Sequence, residues 1–171
     1  MADGKYLVIN PATGLIERID AIATSNDSPD HLIKTDANGK IAESFMPAGI
    51  GSEIKNMPAT ETMSAPVIVN VFYDVDVVKA RKADASMGGK QAVGYVITAV
   101  SSAGDTAEVR FDGIISGFSE LTPGATYFLS EDTAGQITDT PPSTTGSYIQ
   151  RIGVALSANQ LLFEPKSPIK L

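Results

Sequence analysis

The chain has 171 residues, a net charge of −7, and neither cysteine nor tryptophan. That length suits one ordinary domain, with or without an arm, and 43% hydrophobic residues suffice for a core. The acidic balance works against phosphate backbones and anionic membrane surfaces, and the missing thiols exclude disulfides, thiolate zinc sites and cysteine nucleophiles.

The first residues, MADGKYLVIN, place an acid ahead of a short apolar run, which is not the layout of a signal peptide. No run approaches the roughly 20 apolar residues that span a bilayer. The expectation is a soluble chain made in a cytoplasm, binding neither nucleic acid nor membrane. KYLVIN is a predicted strand, NPATG (10–14) a turn, and LIERIDAI an imperfectly alternating segment. TSNDSPD is a polar loop. Asp36-Ala37-Asn38-Gly39 predicts a tight turn, because Asn38 and Gly39 accept positive φ. Little in residues 1–58 forms a consistent apolar face. They read as an extended N-terminal arm of short strands and a hairpin, packing on something other than itself.

Residues 59–171 read as a compact antiparallel β-barrel or β-sandwich. PVIVNVFYDV (66–75) is β-branched and aromatic, hence a buried strand, and VDVVKARKAD continues after a turn near Asp74–Asp76. QAVGYVITAV and AEVRFDGIISGF are strands joined by Ser-Ser-Ala-Gly-Asp. In LTPGATYFLS, Pro123 presets φ and Gly124 supplies the positive φ of a type II turn. ATYFLS and GQITDT flank a turn at Asp132–Gly135. SYIQRIGVAL and LLFEP flank Ser157–Gln160. Turns recurring every 8–12 residues mark an all-β domain, and Gly94, Gly113 and Gly153 inside strands predict bulges or bends.

The chemistry-bearing motifs fail on inspection. With Gly39 at position six of a calcium loop, positions one and twelve would be Lys34 and Phe45, where oxygen ligands are needed. Met87-Gly88-Gly89-Lys90-Gln91 lacks the first glycine of a phosphate loop and has Gln where Ser or Thr binds magnesium. Gly117-Phe118-Ser119-Glu120-Leu121 lacks the closing glycine of a nucleophile elbow. His31, the only histidine, lies in the arm. The carboxylate pairs Glu131-Asp132 and Asp74/Asp76 fall in turns. Lys79, Arg81 and Lys82 form the one basic cluster, with Lys79 and Arg81 on one strand face. No catalytic, cofactor-binding or metal-ligating residue emerges, and the expectation is a chain without enzymatic activity.

Two segments carry a resemblance. HLIKTDANGKIAESFMPAGIG resembles a segment common in bacteriophage fibre and head-decoration proteins, through Ile33, Thr35, Asp36, Ala37, Asn38, Gly39, Lys40, Ile41, Ser44, Met46 and Pro47. The C-terminal half is similar to the β-domain that closes many phage virion proteins: Thr-Pro-Gly, Tyr-x-Leu-Ser, a Gly turn, Pro-Pro, Gln-Arg-Ile-Gly and a last apolar strand. Order and spacing together carry the likeness, which covers most of the chain. It implies a non-enzymatic virion structural protein, in particular a capsid decoration (cement) protein. Such a protein would form a homotrimer and bind the phage major capsid protein on the outer shell. The alternative within this class is a head-fibre, tail-fibre or baseplate component. Against the fibre pattern, no long repeat or heptad stalk is visible.

Overall fold

The computed structural model describes residues 5–9, 13, 16–20, 41 and 54–171. The chain divides into two compact units, 1–51 and 52–171. In the first, β1 (Lys5–Ile9) and β2 (Ile16–Asp20) pair antiparallel, with Lys5 opposite Asp20 and Ile9 opposite Ile16. Thr13, between them, lies in an exposed turn. The predicted turn at 36–39 lies outside the described residues.

The second unit contains two five-stranded sheets and a short ribbon. One sheet runs in the order β3 (Ile54–Pro58), β7 (Thr106–Arg110), β6 (Gly94–Val96), β4 (Val67–Asp74), β5 (Val77–Lys82). The other runs β10 (Ile137–Thr138), β9 (Thr126–Leu129), β12 (Arg151–Ser157), β13 (Gln160–Phe163), β8 (Gly113–Ser116). β11 (Tyr148–Ile149) and β14 (Ile169–Lys170) form the ribbon. Every strand pair is antiparallel, and the two five-stranded sheets make the unit sandwich-like rather than a closed barrel. The first sheet curls until its edges touch at one parallel bridge, Ala59 to Ala80, where the Thr60 N–H donates to the Ala80 carbonyl at 2.9 Å. β3 therefore belongs to this sheet and not to the arm in which residues 54–58 were expected. Its Met57 is buried in the core.

Two cores result, and β4 and β6 are the wall between them. Ile68 and Tyr95 face the second sheet, where Ile115, Tyr127, Leu129, Ile152, Leu161 and Phe163 meet them. Val67, Val69 and Val96 face the inside of the curled sheet, with Met57, Met63, Ala80 and Val109. A strand buried on both faces reads as a continuous apolar run, which explains VIVNVF. Strands with one wet face alternate instead, as in β9, whose Tyr127 and Leu129 are buried between half-exposed Thr126 and Phe128. The Tyr95 ring meets the Phe163 ring edge-on at 5.1 Å, and its hydroxyl donates to the Asp112 carbonyl at 2.9 Å. Burial raises the pKa of this phenol, against a lowering by Arg110.

AEVRFDGIISGF is not one strand. It breaks at Phe111-Asp112, and Gly113 at φ 104° turns the chain from β7 in one sheet to β8 in the other. Gly153 adjoins a register shift between β12 and β9. The Pro-Gly turn is type II as expected: Gly124 has φ 81° and the Ala125 N–H donates to the Thr122 carbonyl at 3.0 Å. The serine closing the same stretch also builds a turn. Ser130 Oγ accepts from the Asp132 and Thr133 N–H groups at 3.2 and 3.1 Å.

The β4–β5 connection is a two-residue turn in which Val75 and Asp76 both have positive φ, 42° and 64°. That is the type I′ pattern, which favours Asn-Gly and penalises a β-branched residue. Val75 is 85% exposed, so it gains no burial in return. Val75→Asn should stabilise the unit by about 1 kcal/mol, a rise of roughly 3 °C in Tm, read by thermal unfolding.

Candidate functional site

Within the described residues the carboxylate pairs, the basic cluster and the Gly88-Gly89 turn all take part in internal hydrogen bonds or ion pairs. Glu131 accepts from the Ser143 and Thr144 N–H groups at 3.0 and 3.3 Å, which tethers the segment after the two prolines. These bonds, the Ser143 bond foremost, hold its carboxyl below the usual glutamate value. Asp132 lies in the turn that Ser130 organises. Neither residue lines the groove between Ser64–Pro66, Gly117–Leu121 and Gln136–Asp139. Because the folded pKa is depressed, the tether is fully present above the unfolded value of about 4.3 and is lost as pH falls through the lower folded value. The protection factors of the Ser143 and Thr144 amides, their exchange rates taken relative to an unstructured chain at the same pH, should therefore fall on acidification. In Glu131→Gln these protection factors should stay low and independent of pH across the same range.

The second carboxylate pair stabilises the β4–β5 hairpin. Asp74 pairs with Lys79 at 2.8 Å, and Asp76 accepts from the Tyr73 hydroxyl at 2.9 Å. Lys79 and Arg81 do share a face, opposite Phe72 and Asn70. Arg81 stacks on the Phe72 ring at 4.1 Å and donates to Asn70 Oδ1 at 2.9 Å and to the Gly89 carbonyl at 2.7 Å. Lys82 lies 3.6 Å from Glu61. Lys79 and Lys82 are thus paired with carboxylates and Arg81 is engaged by neutral groups, and the Gly88-Gly89 turn offers a carbonyl to Arg81 rather than N–H groups to a phosphate. Gly117–Leu121 is a loop hung from the β12–β13 turn, through Gly117 N–H to Asn159 and Leu121 N–H to Ala158, at 3.2 and 3.0 Å. His31 and the Lys34–Phe45 loop lie outside the described residues, apart from Ile41, which is exposed. Among the described residues no three His, Cys, Asp or Glu side chains come together to hold a metal.

Two surface features stand out, and sequence reasoning found neither. One is the tip of the β4–β5 hairpin, where Tyr73 (68% exposed), Val75 and Val77 stand in solvent. The other is an open groove of about 530 Å³ between Ser64–Pro66, Gly117–Leu121 and Gln136–Asp139. The alternation of β4 carries Tyr73 onto the apolar face of its strand, but only the structure shows that the hairpin outruns the core. The groove joins three distant segments and has no local signature.

The chain matches no family model, no curated protein and no solved structure. No helix among the described residues is long and apolar enough to cross a membrane.

Proposed function

We propose that this chain is a non-enzymatic phage virion structural protein, a capsid decoration protein that binds the outer shell as a trimer and stabilises it. One observation carries the reading: the charged candidates are spent on internal pairs, while Tyr73, Val75 and Val77 stand exposed on a strained hairpin tip. Exposed apolar side chains at a projecting tip are what an adhesive contact uses, and strain held in place by its surroundings is a mark of function. The resemblance of residues 31–51 and of the C-terminal half supports the same class.

The test is saturable binding of the full chain to capsid shells of the source phage, with solution mass by light scattering. A trimer that binds shells at fixed stoichiometry is expected. Tyr73→Ser with Val75→Asn should weaken shell binding at least tenfold, although Val75→Asn alone makes the fold more stable. Opposite signs for stability and binding separate adhesion from simple misfolding. A deletion meant to remove the N-terminal unit must stop at residue 51, since removing 54–58 takes an edge strand and Met57 with it. Labelling at the tail instead of the shell would transfer the assignment to a fibre or baseplate component.

A further inference from the structure

We propose that the groove between Ser64–Pro66, Gly117–Leu121 and Gln136–Asp139 is a binding site for a neutral saccharide. Its volume of about 530 Å³ is within the range of small-ligand clefts. Its charged lining is Glu120 and Asp139, with no lysine or arginine. That excludes phosphates, sulfated sugars and other anions by like-charge repulsion. The absence of a three-ligand cluster among the described residues argues against a metal ion. A bound extended peptide is disfavoured too, because the neighbouring edge strand β10 has only two residues to pair with.

What remains is a ligand rich in hydroxyl donors with an apolar ring face. Glu120 and Ser119 make no hydrogen bond or ion pair within the described structure, so their acceptor capacity is free. Carboxylate oxygens accept hydroxyl hydrogens in short, charge-assisted bonds. The Gln136 side-chain amide, unused internally, both donates and accepts. Half-buried Phe118 and Ile137 supply the apolar surface against which the C–H face of a pyranose ring packs.

The groove is also held in shape. Buried Tyr127 lines it, and its hydroxyl accepts from the Thr122 N–H at 3.0 Å. The loop above it is anchored at both ends on the β12–β13 turn, and Glu120 between the anchors has φ 60°. A non-glycine residue in that region is a local cost that persists only where the surroundings fix it. Glycine at this position would relax the backbone but remove the carboxylate. The proposal is independent of shell attachment, so either can fail without the other.

The experiment is a titration of the ¹⁵N-labelled full chain with maltose, cellobiose, lactose and diacetylchitobiose, to about 50 mM because an open polar groove binds in the millimolar range. Glycerol and calcium chloride are titrated alongside. At least one disaccharide should give saturable shifts centred on residues 117–121 and 136–139. Glu120→Gln and Asp139→Asn should each weaken that response about tenfold while leaving the remaining spectrum in place. Glu120→Gly should raise the Tm and still lose the response. Absence of a saturable shift with every disaccharide would overturn the proposal. So would equal shifts with glycerol, or a response to calcium alone.

Discussion

Gly153→Ala should destabilise the sandwich by about 3–5 kcal/mol, near the upper end for a single substitution. A Cβ built on Gly153 would sit 1.9 Å from the Leu162 carbonyl oxygen and 3.0 Å from its carbon. The obstacle is backbone, and it belongs to β13, the strand hydrogen-bonded alongside β12 through Gly153–Phe163 and Val154–Leu162. Relief requires β12 and β13 to part in the middle of the second sheet. That would disturb Ile152 and Leu161, both fully buried. Protein interiors are packed too densely to absorb such a shift locally.

The contrast is Gly88→Ala. There the nearest atom is the Tyr148 hydroxyl at 2.9 Å, the far end of a side chain that can swing. It should cost less than about 1 kcal/mol. Urea unfolding followed by circular dichroism measures both variants. Two similar midpoints would show that the β12–β13 ladder yields as readily as a tyrosine side chain, and the close approach would lose its importance.

The parts of this fold that were legible in the sequence are those encoded locally. Bounding turn signals placed β7, β9 and β13, the apolar run placed β4, and Pro123-Gly124 specified its own turn type. The two-sheet arrangement was not local. Phe111-Asp112 interrupts no alternation conspicuously, so AEVRFDGIISGF looked continuous although its halves lie in different sheets. In IKNMP, only Met57 is fully buried, too weak a pattern to claim a strand. The type I′ turn lacked the Asn-Gly signal because Val75 holds a conformation that its own chemistry disfavours. The carboxylate pairs fall at turns or, for Asp74, at the strand end beside one, yet the tether from Glu131 to Ser143 spans 12 residues and has no local signal. Of the two surface features, the hairpin residues were seen as strand and the groove not at all, since its walls come from segments as far apart as Ser64 and Asp139.

Gln150→Leu should cost about 2–5 kcal/mol despite being nearly isosteric, and it isolates a buried side-chain contribution to joining the sheets. Gln150 is 3% exposed. Its Oε1 accepts from the Ala92 N–H at 2.7 Å, and its Nε2 donates to the Ala92 carbonyl at 2.9 Å. The same Nε2 reaches the Lys166 carbonyl at 3.1 Å. Ala92 leads into β6 of the first sheet, and Gln150 leads into β12 of the second, so one amide stitches the two layers across 58 residues of sequence. Leucine fills the space and leaves both polar groups of buried Ala92 unpaired, each costing about 1–3 kcal/mol. Gln150→Glu tests the mechanism more sharply. An ionised glutamate can accept from the Ala92 N–H but cannot donate to its carbonyl, and its charge is buried. Its folded pKa is therefore raised. Relative to the parent, this variant should be best tolerated below the unfolded value of about 4.3 and should lose stability as pH rises through its folded value. Gln150→Leu should show no such slope relative to the parent. A leucine variant within about 1 kcal/mol of the parent would mean that water or a local shift satisfies Ala92, and that apolar contacts and backbone bonds such as Ile68 N–H to the Gly135 carbonyl hold the two sheets together.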